Sequence, residues 1–378
     1  MTKDYKIEKA EINWPATLVL GLTFLAAISI VPWYGIVYGF SAWAWAFFAI
    51  FLIIGGIGIG AGYHRLWSHR AYEAHWIMRL YLAIVGGMTV QNSILVWCIR
   101  HRFHHRDVDD NDKDPYSIGR GFWFAHIGWM LKDYGSGRLD WSVVPDLERD
   151  PIVAWQHKHY GLLVLATNVA LPLFLGWLVG DIWGVFLLAG ILRLVVSHHV
   201  TFFINSLAHM WGSRPYTDEN SARDNWFLAI ITYGEGYHNF HHLFQSDYRN
   251  GIRWWQYDIN KWFIKTCSWF GLARNLKRTP DFKIQRARLA MVFKRAQAKI
   301  DGSAENPRWR ILFETEYAQF KQTIAEWQHL QIERVQLSKQ KLVDAIEQSA
   351  LTARYRELER ELKMQRKRVT MLTAQFYG

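Results

Sequence analysis

The sequence predicts an all-α integral membrane protein, with four transmembrane helices in two hairpins, a cytosolic helical cap, and a C-terminal extension of long helices or coiled coil. Three observations carry that prediction. From Ile12 to Tyr63 there is no Asp, Glu, Lys or Arg. From Tyr160 to Leu192 the only charged residue is Asp181, and apolar sequence runs on past Arg193 to about Asn205. Beyond about Asp281 the composition turns to Lys, Arg, Glu and Gln with apolar residues at helical spacing.

A bilayer span needs about 20 apolar residues, so each apolar block holds two spans and a turn. The first pair falls near Pro15–Tyr34 and Ala42–Gly62, with the Trp- and Tyr-rich turn "WYGIVYGFSAW" suited to the headgroup belt. The second pair falls near Leu162–Leu178 and Trp183–Asn205, separated by "VGDIWG". Neither turn contains Lys or Arg, whereas the N-terminus, the central loop and the tail are rich in both. By the positive-inside rule those three segments are cytoplasmic. The N-terminus has no small-residue cleavage site of a signal peptide, so the first span is expected to be retained. Two cysteines, Cys98 and Cys267, and no N-x-Ser/Thr sequon agree with a reducing compartment.

The stretch His75–His101 is apolar but carries Arg79, Gln91 and Asn92, and competes between a fifth span and an interfacial helix. In the tail, Phe320, Ile324, Trp327, Val335, Leu342 and Ile346 recur at helical spacing, and "DGSAENP" at 301–307 breaks the pattern, with Pro307 suited to open a helix. This divides the chain into a membrane-embedded domain with its cap, 1–280, and a charged helical extension, 281–378, which is a candidate for self-association. The net charge of +11 is compatible with an anionic membrane surface or anionic substrate. No nucleic-acid motif accompanies it.

Of sixteen histidines, nine stand in patterned groups. "HRLWSH" supplies His64 and His69 after the second span, "HRFHH" His101, His104 and His105, "NSLAH" His209, and "HNFHH" His238, His241 and His242. The remaining seven, His75, His126, His157, His159, His198, His199 and His329, follow no pattern. On a helix, positions i, i+3 and i+4 share one face, so His-x-x-His-His is expected to aim three imidazoles at a common point. Neutral imidazole binds Fe, Zn and Cu. Nine nitrogens exceed one ion's needs and suit a di-metal site of four or five imidazoles each, with an open position of the catalytic kind. For "HRLWSH" and "HRFHH" to share a metal, His75–Arg100 must lie along the cytoplasmic interface rather than cross the membrane. The acidic run "RDVDDNDKD" lacks the glycine and terminal Glu of a calcium loop. It reads as a solvated turn able to offer a supporting carboxylate to a histidine.

"HRLWSH", "HRFHH" and "GEGYHNFHH" resemble the three histidine boxes of the membrane-bound fatty acyl desaturases, in their acyl-CoA delta-9 (stearoyl-CoA) branch. "AGYHRLWSHRAY", "DKDPYSIGRGFWFAHIGWML", "INSLAHMWGSRPY" and "WWQYDINKW" extend the resemblance over roughly Ala16–Leu276. The tail beyond Asp281 does not share it. The resemblance implies insertion of a cis double bond into a saturated long-chain acyl group, with two iron ions, O₂ and two electrons from cytochrome b5 or a ferredoxin with its reductase. It places the nine histidines on the metal-ligand positions and Asn205 on an outer ligand position that acts through water. It puts Gln91, Trp97, Thr201 and Phe202 at a bend in an acyl tunnel. Mammalian members have Trp where Phe202 stands and Arg-Asp where Ile99-Arg100 stand. The His-Pro-Gly-Gly haem motif of the cytochrome b5 fused to yeast-type members does not occur, so the electron donor is expected to be a separate protein.

Arg100, Arg102, Arg106, Arg120, Lys132 and Arg193 are candidates for holding the phosphates of the acyl carrier, with Arg120 and Arg193 foremost. An acyl-lipid desaturase and a di-iron hydroxylase are alternatives that keep the chemistry. A metal transporter would instead place ionisable ligands within the spans, and the first two spans as read carry none. The expected location is a bacterial inner membrane or the endoplasmic reticulum, with termini and histidines cytoplasmic.

Overall fold

A computed structural model of the chain describes residues 10–301, 307–340 and 345–375. Four of its helices are long and apolar enough to cross a membrane: Trp14–Val37, Ala42–Ser68, Tyr160–Val179 and Ile182–His209. These are the four expected spans, each extended by a few residues. Among the described residues the fold is α-helical apart from a two-residue antiparallel ribbon pairing Glu73 with Arg274 and Ala74 with Ala273, and three isolated bridges.

The first span starts on a cap made by the Asn13 side chain, which accepts from the Ala16 N–H at 3.3 Å. Helical hydrogen bonding is interrupted at Ser29. Pro32 explains the interruption, because it has no N–H for the Ile28 carbonyl and its ring crowds that carbonyl. Asp181, the lone charge of the second apolar block, joins the two interhelical turns. Its carboxylate accepts from the backbone N–H of Gly184 at 2.9 Å, capping the fourth span. It also accepts from the N–H of Ser41 at 3.2 Å, in the turn between the first two spans. Both hairpin tips therefore meet at one end of the four helices.

The second span changes character along its length. Ala42–Ile57 is α-helical, and Gly58–Ser68 is wound as a π-helix, buried throughout. Such widened turns recur at functional sites, and this one carries His64 and Arg65. Helix Trp76–Gly87 packs along it, at a contact that needs glycine: a Cβ on Gly58 would lie 2.4 Å from the Gly86 nitrogen.

The stretch His75–His101 is not one interfacial helix. It forms two helices, Trp76–Gly87 and Ile94–Arg106, broken at Met88–Ser93. The break contains Val90 at φ 55° and Asn92 at φ 75°, conformations that end a right-handed helix. The first helix, 12 residues, is about 18 Å long, too short to cross a ~30 Å hydrocarbon layer. It buries Met78, Leu82, Ala83 and Val85 and exposes Trp76, Ile77 and Tyr81.

The described chain divides into two compact units, Met1–Ser213 with Glu219–Arg278, and Arg214–Asp218 with Thr279–Gly378. In the first, one apolar core surrounds the π-helical segment and the helices packed on it, from Ile57 through Tyr63, Leu82 and Ile99 to Ile264. A second core, including Phe51, Met88 and Leu188, lies among the spans. In the second unit three helices, Asp281–Asp301, Pro307–Gln340 and Ala345–Gln375, share one core built on Phe282, Leu289, Phe293, Phe320, Ile324, Trp327, Leu358 and Leu362. The expected long helices are three in number and pack together, with Phe320, Ile324 and Trp327 buried among them. The side chains of Val335, Leu342 and Ile346 lie outside the described residues. Arg354 pairs with Glu326 at 2.6 Å and Arg368 with Glu316 at 2.8 Å across the hairpin. Segment 214–218 belongs here through Tyr216, which accepts from Arg288 at 2.6 Å, and Asp218, which pairs with Lys294 at 2.7 Å.

Candidate metal centre

The nine patterned histidines converge in two groups. His64, His69, His101, His105 and His241 form one, and His104, His209, His238 and His242 the other, with ligand nitrogens in each group within 4.8 Å of one another. Three elements deliver them: the π-helical end of the second span, helix Ile94–Arg106 and helix His238–Leu243. His209 follows from the turn that closes the fourth span.

The expectation that each His-x-x-His-His aims three rings at one point is corrected. His101 and His105 face the five-histidine group while His104 faces the other. His238 and His242 face the four-histidine group while His241 faces the first. At 100° per residue, i and i+4 project 40° apart, whereas i+3 lies about 100° from i+4. Each helix therefore sits between two centres and feeds both.

Ring contacts are close. Nε2 atoms stand 2.9 Å apart for His64 and His241, 2.8 Å for His69 and His101, and 3.0 Å for His105 and His241. In the other group His209–His238 and His238–His242 are each 3.1 Å apart, and His104–His242 3.3 Å. Two nitrogens each ~2.1 Å from a common ion at right angles would stand about 3.0 Å apart.

Partners on the far nitrogens fix three tautomers. His64 Nδ1 lies 3.0 Å from Glu235 Oε2 and His104 Nδ1 3.0 Å from both Asp114 oxygens. Carboxylates accept, so each Nδ1 carries the proton and each Nε2 presents a lone pair to its group. For His209, the Ser221 hydroxyl donates to the Asp109 carboxylate, so it accepts from His209 Nδ1 at 2.6 Å. Lone pairs of buried, neutral imidazoles pointed at one another repel, and a cation among them removes the repulsion. Burial holds the pKa of His69, His101, His105, His241 and His242 well below the ordinary value, with the neighbouring imidazoles adding to it. His238 is pushed down to about 3, first by burial and then by His104. These six rings stay neutral, as ligation requires. With only nitrogen donors in both groups, the set fits transition-metal ions that favour imidazole.

The support under these rings is ionic. Arg65, fully buried, donates to Glu235 at 2.8 Å and pairs with Asp258 at 2.9 Å. Burial alone would raise the Glu235 carboxyl, but Arg65 and His64 outweigh it and hold it below the usual carboxylate range. Gly234 carries Glu235 into place at φ 105°, where a Cβ would meet Asp258 at 2.7 Å, so only glycine fits. Gly236 has a different reason: its Cβ would lie 2.2 Å from the Ala229 nitrogen.

A cavity of about 800 Å³ opens beside the centre. His64 and His101 of one group and His238 of the other line it, as do Gln91, Trp97, Thr201, Phe202 and Asn205. Gln91 donates to the Thr201 hydroxyl at 3.0 Å, and Trp97 stacks on His101 at 4.7 Å between centroids. Asn205 is in the wall as well.

The cationic candidates divide. Arg100 and Lys132 line the cavity, joined by Arg138, which the sequence reading missed. Arg120 lies outside the wall, over Phe124 at 3.7 Å and over the cavity residue Tyr134 at 4.5 Å. Arg193 is corrected: it is fully buried and donates to Ala189 O at 2.9 Å, Met88 O at 3.1 Å and Asn168 Oδ1 at 2.7 Å. A guanidinium inside a span must satisfy its donors on protein oxygens. Arg102 makes a bidentate pair with Asp146 at 2.8 and 2.9 Å. Arg106 pairs with Asp107 at 2.8 Å. The acidic run does supply supporting carboxylates, Asp109 and Asp114. Ser221 and Glu235 join them behind His209 and His64.

The model of the family described as "Fatty acid desaturase" matches residues 41–268. The chain is 45% identical over 271 residues to a probable acyl-CoA desaturase of Schizosaccharomyces pombe, covering 71% of this chain and 55% of that protein. It is 39% identical over 302 residues to acyl-CoA desaturase 1 of Saccharomyces cerevisiae, covering 79% and 57%. It is 33% identical over 278 residues to the sn-2 palmitoyl-lipid 9-desaturase of Nostoc, covering 71% of this chain and 92% of that protein. The chain thus spans little more than half the length of its two yeast relatives.

Proposed function

Because this chain belongs to the fatty acid desaturase family, we propose that it is an acyl-CoA delta-9 desaturase, placing a cis double bond in a saturated long-chain acyl group. The balance is one –CH₂–CH₂– unit, O₂, two electrons and two protons giving –CH=CH– and two waters. Two of the four electrons that reduce O₂ come from the acyl chain and two from an electron donor, a cytochrome b5 or a ferredoxin with its reductase.

The observation that carries this reading is the cavity, whose wall includes histidines of both groups together with Gln91, Trp97, Thr201 and Phe202. A substrate in it lies against both candidate metal positions at once. His64, His69, His101, His105 and His241 would hold one iron and His104, His209, His238 and His242 the other, with Asn205 reaching the second through water. Bound iron supplies the O₂-driven oxidising power that breaking unactivated C–H bonds requires, which redox-silent zinc cannot.

The protein's own part is positional. Glu235, Asp114 and the Asp109–Ser221 pair keep Nε2 of His64, His104 and His209 unprotonated. Trp97 fixes the His101 ring by stacking. Arg100, Lys132 and Arg138 in the cavity wall suit an anionic head group, and Arg120 remains a candidate contact beside Tyr134. In this reading residues 1–280 hold the chemistry and 281–378 are an extension. The termini and histidines face the cytoplasm of a bacterial inner membrane or an endoplasmic reticulum.

The named activity of the Nostoc relative favours one second reading, in which the acyl group is esterified in lipid. Membranes containing the protein and a reductase chain, offered stearoyl-CoA and a saturated phospholipid side by side, decide between the carriers. Oleoyl-CoA is the expected product. Hydroxylated acyl product instead would overturn the desaturase reading.

A further inference from the structure

The cavity wall contains a strained turn, Met88–Asn92, between helices Trp76–Gly87 and Ile94–Arg106. Val90 has φ 55° and Asn92 φ 75°, and Val90, Gln91 and Asn92 all line the cavity. Left-handed backbone is tolerable for Asn but a genuine outlier for a β-branched residue, and such strain persists only where surrounding groups over-determine it.

Those groups come from the third and fourth spans. His198 Nε2 lies 2.8 Å from the Thr89 carbonyl, so Nε2 carries the proton and donates. Arg193 Nη1 donates to the Met88 carbonyl at 3.1 Å, and Thr201 Oγ1 accepts from Gln91 at 3.0 Å. From the third span, the Tyr160 hydroxyl accepts the Asn92 N–H at 2.9 Å. Consecutive residues of the turn are thus tethered on either side of Val90: the Thr89 hydroxyl and N–H bond back to the Gly86 carbonyl at 2.7 and 3.1 Å, and the Thr89 carbonyl is tied to the fourth span by a buried imidazole. His198 also lines the cavity and stacks on Phe202, centroids 5.7 Å apart at 15°.

We propose that His198 is a positioning residue for substrate register: by holding Thr89 it keeps Val90 and Gln91 in the strained turn, and so fixes which methylenes of an acyl chain rest beside the histidine centre. This rests on the desaturase reading. An apolar chain has no polar handle along its length, so its register depends on the shape and rigidity of the wall. A wall built on an unfavourable backbone conformation holds that shape only while its tethers last.

The experiment uses the full chain in membranes with its donor proteins, and reads double-bond position in the product by mass spectrometry alongside thermal stability. His198→Leu removes the donor but keeps an apolar wall. It is expected to raise the fraction of off-position isomers on the order of tenfold, the factor that one unsupported left-handed residue shifts an equilibrium. His198→Gln, whose amide can still donate, is expected to keep the wild-type isomer ratio. Adding Val90→Asn to His198→Leu, which makes the left-handed conformation intrinsically acceptable, is expected to restore it.

A wild-type isomer ratio in folded His198→Leu overturns the proposal. So does an altered ratio that Val90→Asn does not correct, since His198 would then act only by filling space. If His198→Leu does not fold, recovery of folding in the double variant supports the tether and its failure overturns it. Absence of any alkene from wild type is a failure of the desaturase reading instead, and there the stability of the single and double variants still decides the tether by the same rescue.

Discussion

His104 and Asp114 face each other with both carboxylate oxygens 3.0 Å from Nδ1. The same carboxylate accepts backbone N–H groups of Asp109 and Tyr116, each at 3.1 Å. The acidic turn is therefore folded around the back of a histidine whose other nitrogen points into the four-histidine group.

That relationship predicts the effect of Asp114→Asn. An amide that presents N–H to Nδ1 reverses the tautomer, or turns away and leaves Nδ1 without its acceptor. Metal affinity at the four-histidine group should fall about 10- to 100-fold, measured by chelator competition on purified protein. Affinity within about twofold of wild type would show that Asp114 serves only the turn.

His241 separates the two groups experimentally. It belongs to the five-histidine group, its Nε2 between His64 at 2.9 Å and His105 at 3.0 Å. His241→Ala should abolish desaturation and lower bound iron selectively at that group, so that total iron approaches half the wild-type content. Full activity in this variant would refute its ligand role.

Acid should destabilise the metal-stripped protein early. His69, His101, His105, His238, His241 and His242 all have folded pKa values below the unfolded value, His238 at about 3. The unfolded chain takes up these protons near pH 6.5 and the folded chain does not, so the unfolded state binds more protons and stability rises with pH. Stability is full above about pH 6.5 and declines as pH falls from there toward about 3, by up to ~1.4 kcal/mol per unit for each histidine. Thermal midpoints of stripped protein across this range test it; a flat profile below pH 6.5 would contradict neutral buried rings.

The second unit offers a stability test independent of chemistry. Trp327 is fully buried in its three-helix core, and Trp327→Ala should cost that core about 3–5 kcal/mol while leaving turnover per folded molecule unchanged. Proteolysis confined to residues beyond 278 would report it. Reduced turnover in intact protein would tie this unit to catalysis.

Truncation points can be chosen from the same core. Ending the chain at Asn306 leaves Phe282, Leu289 and Phe293 on helix Asp281–Asp301 without the two helices that cover them, and aggregation should follow. Ending it at Arg278 removes all three helices together and should spare desaturation. Loss of activity in a folded protein ending at Arg278 would sink that expectation.

Much of this molecule was legible without coordinates. Two long apolar runs, the first without a charge and the second interrupted by Asp181 and Arg193, define four spans because desolvating a charge in a bilayer is expensive whatever the fold, and turn placement follows from the same cost. Nine histidines announced a metal site because their spacing on helices is a local property. The partition of those histidines was decided only by tertiary structure. The sequence places His101, His104 and His105 together, but which ring meets which centre depends on how helix Ile94–Arg106 is rotated against helix His238–Leu243. The interruption at Met88–Ser93 was likewise hidden, since a Val at φ 55° contradicts local preference and is held by His198, Arg193 and Tyr160 from distant spans. Arg193 itself looked like a phosphate contact because sequence records charge and not direction; packing turned it onto the carbonyls of Ala189 and Met88. Local periodicity and the price of desolvation fix what the elements are, and long-range packing fixes which atoms of those elements meet.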